Sequence, residues 1–187
     1  SKSGIAVTLY AEGEYNLKTP LNNNIKLVVE TNYPVDGEVK ITLDSTAKEE
    51  FEIRLRIPKF SINTLVTVCG DQISASAGEY LSLKRKLASG DVIKLVVDMS
   101  PRVIHPIGCE KDENSKNYIA VKYGPLVLAR DSRLCPEAGE KVSLAFDQND
   151  RIELKRCKTA PFDTLCEFEV PLTDGGFTRM IDYQSAG

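Results

Sequence analysis

His105 has the side-chain type that most often carries acid–base chemistry, and it is the single histidine of the chain. It stands beside Pro106, and no serine or cysteine nucleophile motif lies near it. The sequence also lacks the Gly-x-Ser-x-Gly, His-Glu-x-x-His and glycine-rich phosphate-loop motifs. We therefore interpret His105 as a structural or surface residue.

Paired carboxylates are the other catalytic candidate, because a glycosidase needs two of them facing each other across a sugar. The pairs that are adjacent in loop-like segments are Glu49 with Glu50 and Asp112 with Glu113. A catalytic acid needs burial or a neighbouring like charge, and all four stand in polar segments beside lysines. We interpret them as solvated side chains and predict no catalytic residue in this chain.

The candidate metal ligands of the sequence are residues 147–150 and the cysteines. Residues 147–150 all carry side-chain oxygens, but they lack the glycine and distal glutamate of a calcium loop. The odd number of cysteines and the absence of Cys-x-x-Cys argue against a zinc knuckle and a complete disulfide framework, while one bridge from Cys157 to Cys166 stays open. We predict no metal and no cofactor. The cysteines are Cys69, Cys109, Cys135, Cys157 and Cys166.

Charge and hydropathy exclude two classes of partner. The formal net charge is −3 with both signs scattered along the chain, and the basic run at residues 84–86 has no companion cluster. No apolar run approaches the roughly 20 residues of a membrane helix, and the N-terminus has no basic stretch followed by an apolar signal core. We predict that the chain binds no nucleic acid, crosses no membrane and carries no export signal of its own.

Glycan binding would use exposed aromatic side chains as stacking platforms. The chain has no tryptophan, but it has seven tyrosines. Four tyrosines flank predicted turns or end predicted strands, where they could stack on a sugar or cap the edge of a core. The sequence leaves both roles open. The four are Tyr33, Tyr80, Tyr123 and Tyr183.

Short segments with alternating apolar and polar residues must position all of these side chains. Such alternation is typical of half-buried β-strands in a sandwich or barrel. In residues 51–57 four apolar residues alternate with charged ones, which predicts one face on a core and the other in water. The predicted strands are residues 5–10, 25–31, 38–43, 51–57, 65–68, 80–86, 92–97, 118–123, 126–130, 142–146, 151–155, 164–170 and 177–183.

Turn residues punctuate these segments at short intervals, which favours antiparallel pairing. Among them are Asp36-Gly37, Cys69-Gly70-Asp71 and Ser89-Gly90-Asp91. No segment has a sustained 3.6-residue apolar stripe, and residues 45–50 come nearest but are too short and too polar for more than one helical turn. The sequence therefore predicts an all-β fold made of antiparallel β-sandwiches.

The residue composition of the chain changes near Pro101 and Pro106, and the polar residues 110–117 are typical of a long exposed loop. We place a boundary there. The prediction is one β-sandwich domain over residues 1–104 and a second over residues 105–187, which stops just after a strand as a truncated domain would. The first proteolytic cleavage is expected within residues 110–117.

Short pieces of the sequence carry a family resemblance through their order and spacing. The pieces are Val7-Thr-Leu-Tyr10, Val29-Glu-Thr-Asn-Tyr-Pro34 with Gly37, Leu55-Arg-Ile-Pro58, residues 80–86 with Gly90-Asp91, and Tyr123-Gly-Pro-Leu-Val127. Together they resemble the C-terminal β-sandwich region of bacterial family-127 glycoside hydrolases, the β-L-arabinofuranosidase-like proteins. Phe60 and Leu87 stand where that family tends to have tryptophan, and both are of core size.

The resemblance implies a parent glycosidase that acts on arabinose-containing glycans. It also implies that hydrolysis takes place in a preceding α-helical barrel, with a cysteine nucleophile and a zinc ion held by cysteines and a glutamate. No position of this chain matches the adjacent-cysteine motif of that site, so none of the five cysteines takes over the role.

Our leading prediction is a non-catalytic accessory region that packs against the catalytic α-helical barrel of its parent protein. One flank should then expose apolar residues when the barrel is absent. The alternative is a carbohydrate-binding or adhesion-type β-sandwich with a glycan as its partner. A self-sufficient enzyme is the third possibility, and it requires a deep cleft lined by two facing carboxylates.

Overall fold

The computed structural model describes residues 4–45, 50–107 and 118–187 of the chain. The chain divides into two compact units, Ser1–Met99 and Ser100–Gly187. The regular elements of the described residues are all strands, and no helix among these residues is long and apolar enough to cross a membrane. The all-β class predicted from the alternation is confirmed.

The first unit is a sandwich of two sheets. Its strands are β1 (Gly4–Val7), β2 (Gly13–Lys18), β3 (Asn24–Thr31), β4 (Glu38–Ser45), β5 (Phe51–Arg56), β6 (Leu65–Val68), β7 (Asp71–Ile73), β8 (Tyr80–Arg85) and β9 (Val92–Val96). The order is β1-β5-β8 in a three-stranded sheet and β2-β3-β4-β9-β6-β7 in a six-stranded sheet. Buried side chains from both sheets form one hydrophobic core.

Strands β4 and β5 show how the alternation builds this core. Ile41 and Leu43 of β4, like Ile53 and Leu55 of β5, are 0% exposed. The residues between them are partly exposed on the opposite faces. Burial of one such side chain stabilises the fold by about 1.5–3 kcal/mol, so the apolar positions decide which face of a strand turns inward. The orientation predicted for residues 51–57 is confirmed.

One strand pair departs from antiparallel pairing. Strand β1 lies parallel to β5, with Ile5 opposite Ile53 and Val7 opposite Leu55. Parallel neighbours need a long crossover connection, and here the connection runs through β2, β3 and β4 of the other sheet. Alternation shows where a strand lies, but it does not show which distant strand becomes its neighbour.

Two predicted turns need glycine for different reasons. Cys69 and Gly70 form the loop between β6 and β7 with φ of 51° and 96°, which is the left-handed geometry of a two-residue hairpin. At Gly37, a Cβ atom would lie 2.1 Å from the carbonyl oxygen of Val97. Gly37 is therefore required by the close approach of a second backbone segment rather than by its own φ.

The second unit contains one six-stranded antiparallel sheet. Its strands are β10 (Pro101–Ile104), β11 (Ala120–Tyr123), β12 (Leu126–Ala129), β13 (Lys155–Cys157), β14 (Glu167–Pro171) and β15 (Phe177–Asp182). Their order is β10-β11-β12-β15-β14-β13. The core on this sheet includes Phe168 and Val170.

A segment with isolated bridges completes that core where a strand was predicted over residues 142–146. Leu144 makes a single bridge with Leu172. Leu144 and Ile152 are both buried against the core of the sheet. The apolar residue Leu144 of this segment is therefore buried as its pattern indicates, but the segment makes a single bridge and does not form the predicted strand.

In the structure the first compact unit ends at Met99, whereas the sequence analysis predicts a domain boundary after residue 104. Strand β10 pairs with β11 and belongs to the second unit. Pro101 is the first residue of this edge strand, a position that tolerates the missing N–H of proline. Independent folding of the two parts stays a prediction, and the cleavage site at residues 110–117 lies outside the described residues.

Candidate functional sites

His105 follows β10 and lies beside Asp150. Its Nε2 atom is 2.9 Å from Asp150 Oδ1, and its ring meets the edge of the Phe146 ring with centroids 6.1 Å apart. Both side chains of the pair are about half exposed, at 52% and 47%. The contact ties the end of β10 to the turn at residues 147–150. A non-catalytic His105 stays a prediction.

Asp147 holds the backbone of the turn at residues 147–150, whose side-chain oxygens are the candidate calcium ligands. Its Oδ1 atom accepts hydrogen bonds from the backbone N–H groups of Arg151, at 2.9 Å, and Asn149, at 2.8 Å. These donors, that of Arg151 first, lower the pKa of Asp147. Such bonding is what an aspartate does when it closes a turn.

Residues 4–45, 50–107 and 118–187 contain no group of three or more His, Cys, Asp or Glu side chains that could hold a metal ion. These residues do not fit the zinc site that the resemblance attributes to a preceding barrel.

Of the four loop carboxylates considered above, Glu50 is described, whereas Glu49, Asp112 and Glu113 lie outside the described residues. Glu50 Oε1 is 3.7 Å from the Nζ atom of Lys84, and both side chains are more than half exposed. An ion pair of this kind contributes at most about 1 kcal/mol. Glu50 is therefore a solvated surface carboxylate.

Glu167, the first residue of β14, is a buried carboxylate that the sequence does not reveal. It is 2% exposed. Its Oε2 atom accepts hydrogen bonds from the N–H groups of Thr159, at 2.7 Å, and Ala160, at 2.9 Å, and Oε1 accepts one from Thr159 Oγ1 at 2.7 Å. Burial by itself would raise the pKa of Glu167, but these donors lower it below the usual 4.5. The Glu167 carboxylate therefore holds residues 159–160 against the start of β14.

Asp131 and Asp182 anchor the C-terminal residues in the same way, and both are 1% exposed. The Arg133 guanidinium donates to Asp131 at 2.9 and 2.6 Å, and the N–H of Gly187 donates at 2.9 Å. The side-chain bond from Arg133 is the main reason that the pKa of Asp131 lies well below its usual range. Asp182 accepts from the N–H and the hydroxyl of Ser185 at 3.1 and 2.7 Å.

The bridge left open between Cys157 and Cys166 does not form, because both thiols are free. Cys157 lies opposite Glu167 in the ladder, so Cys166, the preceding residue of that partner segment, points to the other face of the sheet. Burial, with a smaller contribution from Glu167 or Asp182, raises the pKa of each thiol to about 11. Both thiols are therefore protonated at neutral pH.

The rate of thiol alkylation should follow the exposure of the cysteines. Cys69 is exposed, whereas Cys166 is buried. Burial raises the pKa of both thiols, that of Cys166 to about 11, so access of the reagent to the sulfur separates their rates. With iodoacetamide at about pH 8, we expect Cys69 to react at least about tenfold faster than Cys166. Peptide mass spectrometry measures both rates, and a denatured sample should remove most of the difference. Equal rates in the native protein would contradict the described burial.

The four candidate tyrosines divide into two groups. Tyr33 packs edge to face on the buried Tyr10 ring with centroids 6.3 Å apart, and Tyr123 lies 4.9 Å from the Phe168 ring. Tyr80 and Tyr183 are 49% and 71% exposed. Tyr33 and Tyr123 therefore contribute to the cores, while Tyr80 and Tyr183 remain open for contacts.

A groove of about 610 Å³ lies on the outer face of the six-stranded sheet of the first unit. Its lining includes Glu30, Glu38 and Lys40, and Lys40 Nζ is 2.7 Å from Glu30 Oε2. Both glutamates are exposed, and an exposed carboxylate lacks the burial that tunes a catalytic acid. On the same face, Leu65 lies opposite Val96 in the ladder, and these apolar side chains are 52% and 44% exposed.

The outer face of the three-stranded sheet is polar and carries side chains of both charges. Arg54 and Arg56 of β5 lie opposite Ser82 and Tyr80 of β8, and Lys84 lies opposite Glu52. Arg54 Nε lies 3.7 Å from Glu52 Oε2 and Lys84 Nζ lies 3.7 Å from Glu50 Oε1, so two of the three cations have acidic neighbours within the chain.

Comparison with protein families gives a match over residues 4–99 to the family described as β-L-arabinofuranosidase, GH127 middle domain. A comparison with curated proteins gives no match. The chain is also similar to solved structures, which are larger: it spans about one third of the chains it matches.

Three of these structures are close in backbone geometry. A protein described as a glycoside hydrolase has a TM-score of 0.78 at 24% identity, with 98% of this chain and 33% of its own covered. A GH127 β-arabinofuranosidase has a TM-score of 0.73 at 20% identity, with 98% and 33% covered. A GH127 β-L-arabinofuranosidase from Geobacillus stearothermophilus T6 has a TM-score of 0.72 at 20% identity, with 97% and 31% covered.

At these identities the structural similarities establish the fold. The family match establishes descent, because residues 4–99 make up more than half of the chain. The resemblance seen in the short sequence pieces is confirmed. The chain belongs to the GH127 β-L-arabinofuranosidase family and contains its middle domain.

Proposed function

We propose that this chain is a non-catalytic accessory region of a GH127 glycoside hydrolase and packs against the catalytic α-helical barrel of its parent protein. The family match carries the proposal, together with coverage of only about one third of the matched structures. Two of those structures are named as β-arabinofuranosidases. The proposed substrate of the whole protein is therefore an arabinose-containing glycan, cleaved outside residues 1–187.

Exposed apolar side chains support a packing role. Leu65 and Val96 form an exposed apolar pair on the outer face of the six-stranded sheet, next to a groove lined by both charged and uncharged residues. A contact with another domain would remove them from water, and each buried CH₂ group contributes about 0.8 kcal/mol.

Assays on three proteins test the proposal: residues 1–187 alone, the full-length protein and a variant that lacks this region. We expect residues 1–187 alone to leave p-nitrophenyl β-L-arabinofuranoside uncleaved, whereas the full-length protein cleaves it. We also expect a full-length protein from which this region has been deleted to lose solubility and thermal stability. Hydrolysis by residues 1–187 alone would contradict the non-catalytic role, and an equally soluble and active deletion variant would contradict the packing role.

A carbohydrate-binding role is the second candidate, and the exposure of Tyr80 and Tyr183 favours it. Calorimetry with arabinan at millimolar concentration separates the two roles, because weak single-sugar sites are measurable in that range. Heat of binding that disappears in a Tyr183→Ala variant would favour the binding role.

We further propose that the units Ser1–Met99 and Ser100–Gly187 fold independently. Each has its own hydrophobic core, and a core of its own is what a domain needs to fold alone.

A further inference from the structure

We propose that the groove on the outer face of the six-stranded sheet of the first unit binds a neutral oligosaccharide. This inference goes beyond the packing role. It rests on the carbohydrate-binding candidate, to which it adds a site and a class of ligand.

Two rows of side chains line the groove, and each row crosses neighbouring strands. In the first row Glu30 of β3 lies opposite Lys40 of β4, which in turn lies opposite Lys94 of β9. In the second row Glu38 of β4 lies opposite Val96 of β9. Alternate residues of a strand share a face, so the two rows run side by side about 6.6 Å apart. All five residues belong to the lining of the groove.

The charges of the two rows favour an uncharged ligand. Lys40 Nζ lies 2.7 Å from Glu30 Oε2, whereas Lys94 and Glu38 are exposed and form no salt bridge with any described residue. An anionic ligand would meet the carboxylates, and a cationic ligand would meet the ammonium groups. A hydroxyl group is both donor and acceptor, so one sugar can accept a hydrogen bond from Lys94 and donate one to Glu38.

Val96 places an apolar surface beside these polar groups. It is 44% exposed, and it lies on the same face of β9 as Lys94, two residues away. A sugar ring has the same division, because its hydroxyl groups lie around the rim and its C–H groups on the faces. Leu65, opposite Val96 in the ladder, is not part of the groove lining and stays available for the packing contact.

The size and lining of the groove argue against other ligand classes. Its volume of about 610 Å³ lies within the range of roughly 300–1,000 Å³ that is usual for ligand sites. Among the residues that the structure describes, no cluster of carboxylates could hold a metal ion. An apolar ligand would cover the charged side chains without giving them hydrogen-bond partners, which is costly. A neutral, hydroxyl-rich ligand avoids this cost.

Calorimetry of residues 1–187 with arabinan oligosaccharides, fragments of the proposed substrate, tests the site. We expect binding at millimolar concentration. Lys94→Ala and Glu38→Ala should each weaken it at least about tenfold, because each removes a charged hydrogen-bond partner of the sugar. Lys84→Ala is the matched control, since Lys84 is an exposed cation of the other sheet, and it should bind as the native chain does. All three variants should unfold like the native chain, because surface substitutions change stability little.

Salt dependence tests the neutral character of the ligand. Between about 50 and 500 mM NaCl we expect the affinity for arabinan oligosaccharides to change by less than about twofold, because salt screens interactions between charges. Polygalacturonate, an anionic glycan, should bind at least about tenfold more weakly, since its carboxylates would meet those of the groove.

The outcomes separate the groove from the carbohydrate-binding role itself. Binding that Tyr183→Ala abolishes and both groove variants retain would overturn the groove as the site and leave the role in place. Tighter binding of polygalacturonate would overturn the class of ligand. No binding by the native chain at millimolar concentration would overturn the inference together with the carbohydrate-binding role, whereas the packing role is decided by the deletion variant.

Discussion

Replacing Glu167 by alanine is expected to lower the free energy of unfolding of the second unit by about 1–3 kcal/mol, the range for leaving buried hydrogen-bond donors without their acceptor. The substitution leaves the N–H groups of Thr159 and Ala160 and the hydroxyl of Thr159 without their acceptor. It also removes the anion near the Arg179 guanidinium, whose Nη1 atom is 3.9 Å from Glu167 Oε1. Denaturant unfolding monitored by circular dichroism measures the loss.

Glu169→Ala is the matched control, because Glu169 lies two residues along the same strand on the same face. Its carboxylate pairs with Lys155 at 2.8 Å, and the lysine side chain is 79% exposed. We expect this variant to lose at most about 1 kcal/mol. Equal losses for the two glutamates would show that burial of Glu167 contributes little.

The Glu167 contribution should also depend on pH in a defined direction. The pKa of Glu167 is lowered from the usual 4.5 in the folded state, so the folded state favours the charged form. Its contribution is therefore complete above the unfolded-state pKa and is lost as the pH falls from that value through the lowered pKa. The stability difference between the native protein and Glu167→Ala should shrink over that acidic range.

Replacing Ile53 by alanine should lower the free energy of unfolding of the first unit by about 2–5 kcal/mol. Ile53 is 0% exposed in the middle strand of the three-stranded sheet, between Ile5 of β1 and Leu83 of β8. Removing three carbon atoms there leaves a cavity that β-sheet partners on both sides cannot fill. Ile53→Val should cost about 0.5–1.5 kcal/mol, and Lys94→Ala, at an exposed position, about 0.5 kcal/mol or less.

The Glu167 and Ile53 variants together test independent folding of the units. If the units are separate domains, each variant should shift one unfolding transition and leave the other in place. Calorimetry resolves the two transitions. A single transition that both variants shift by similar amounts would favour one cooperative domain.

Several of the pieces that carry the family resemblance meet at one place in the first unit. The Tyr10 hydroxyl donates a hydrogen bond to the carbonyl oxygen of Arg56 at 2.7 Å, and the Tyr10 ring packs on Tyr33. These residues come from the pieces at 7–10, 29–34 and 55–58. Their spacing in sequence thus reflects a shared contact, which no single piece shows by itself.

The sequence alone determined the interior strands, because a strand with one buried face must alternate apolar and polar residues. The strands that alternation does not predict are β2, β7, β10 and β13, which are the outermost strands of the two six-stranded sheets. An outermost strand has one neighbour and buries less side-chain area, as the mostly exposed β2 shows. Alternation of apolar and polar residues is therefore less strongly required in such a strand.

The tertiary structure alone decided which polar residues are buried. Alternation places Glu167 on the face opposite Phe168, as a solvent-facing residue, and the residue is buried only because the segment with Thr159 and Ala160 crosses it. Arg54 likewise stands at a solvent-facing position of β5, yet its Nε atom is out of contact with solvent. Burial of these polar atoms depends on neighbours distant in sequence, and local periodicity contains no information about them.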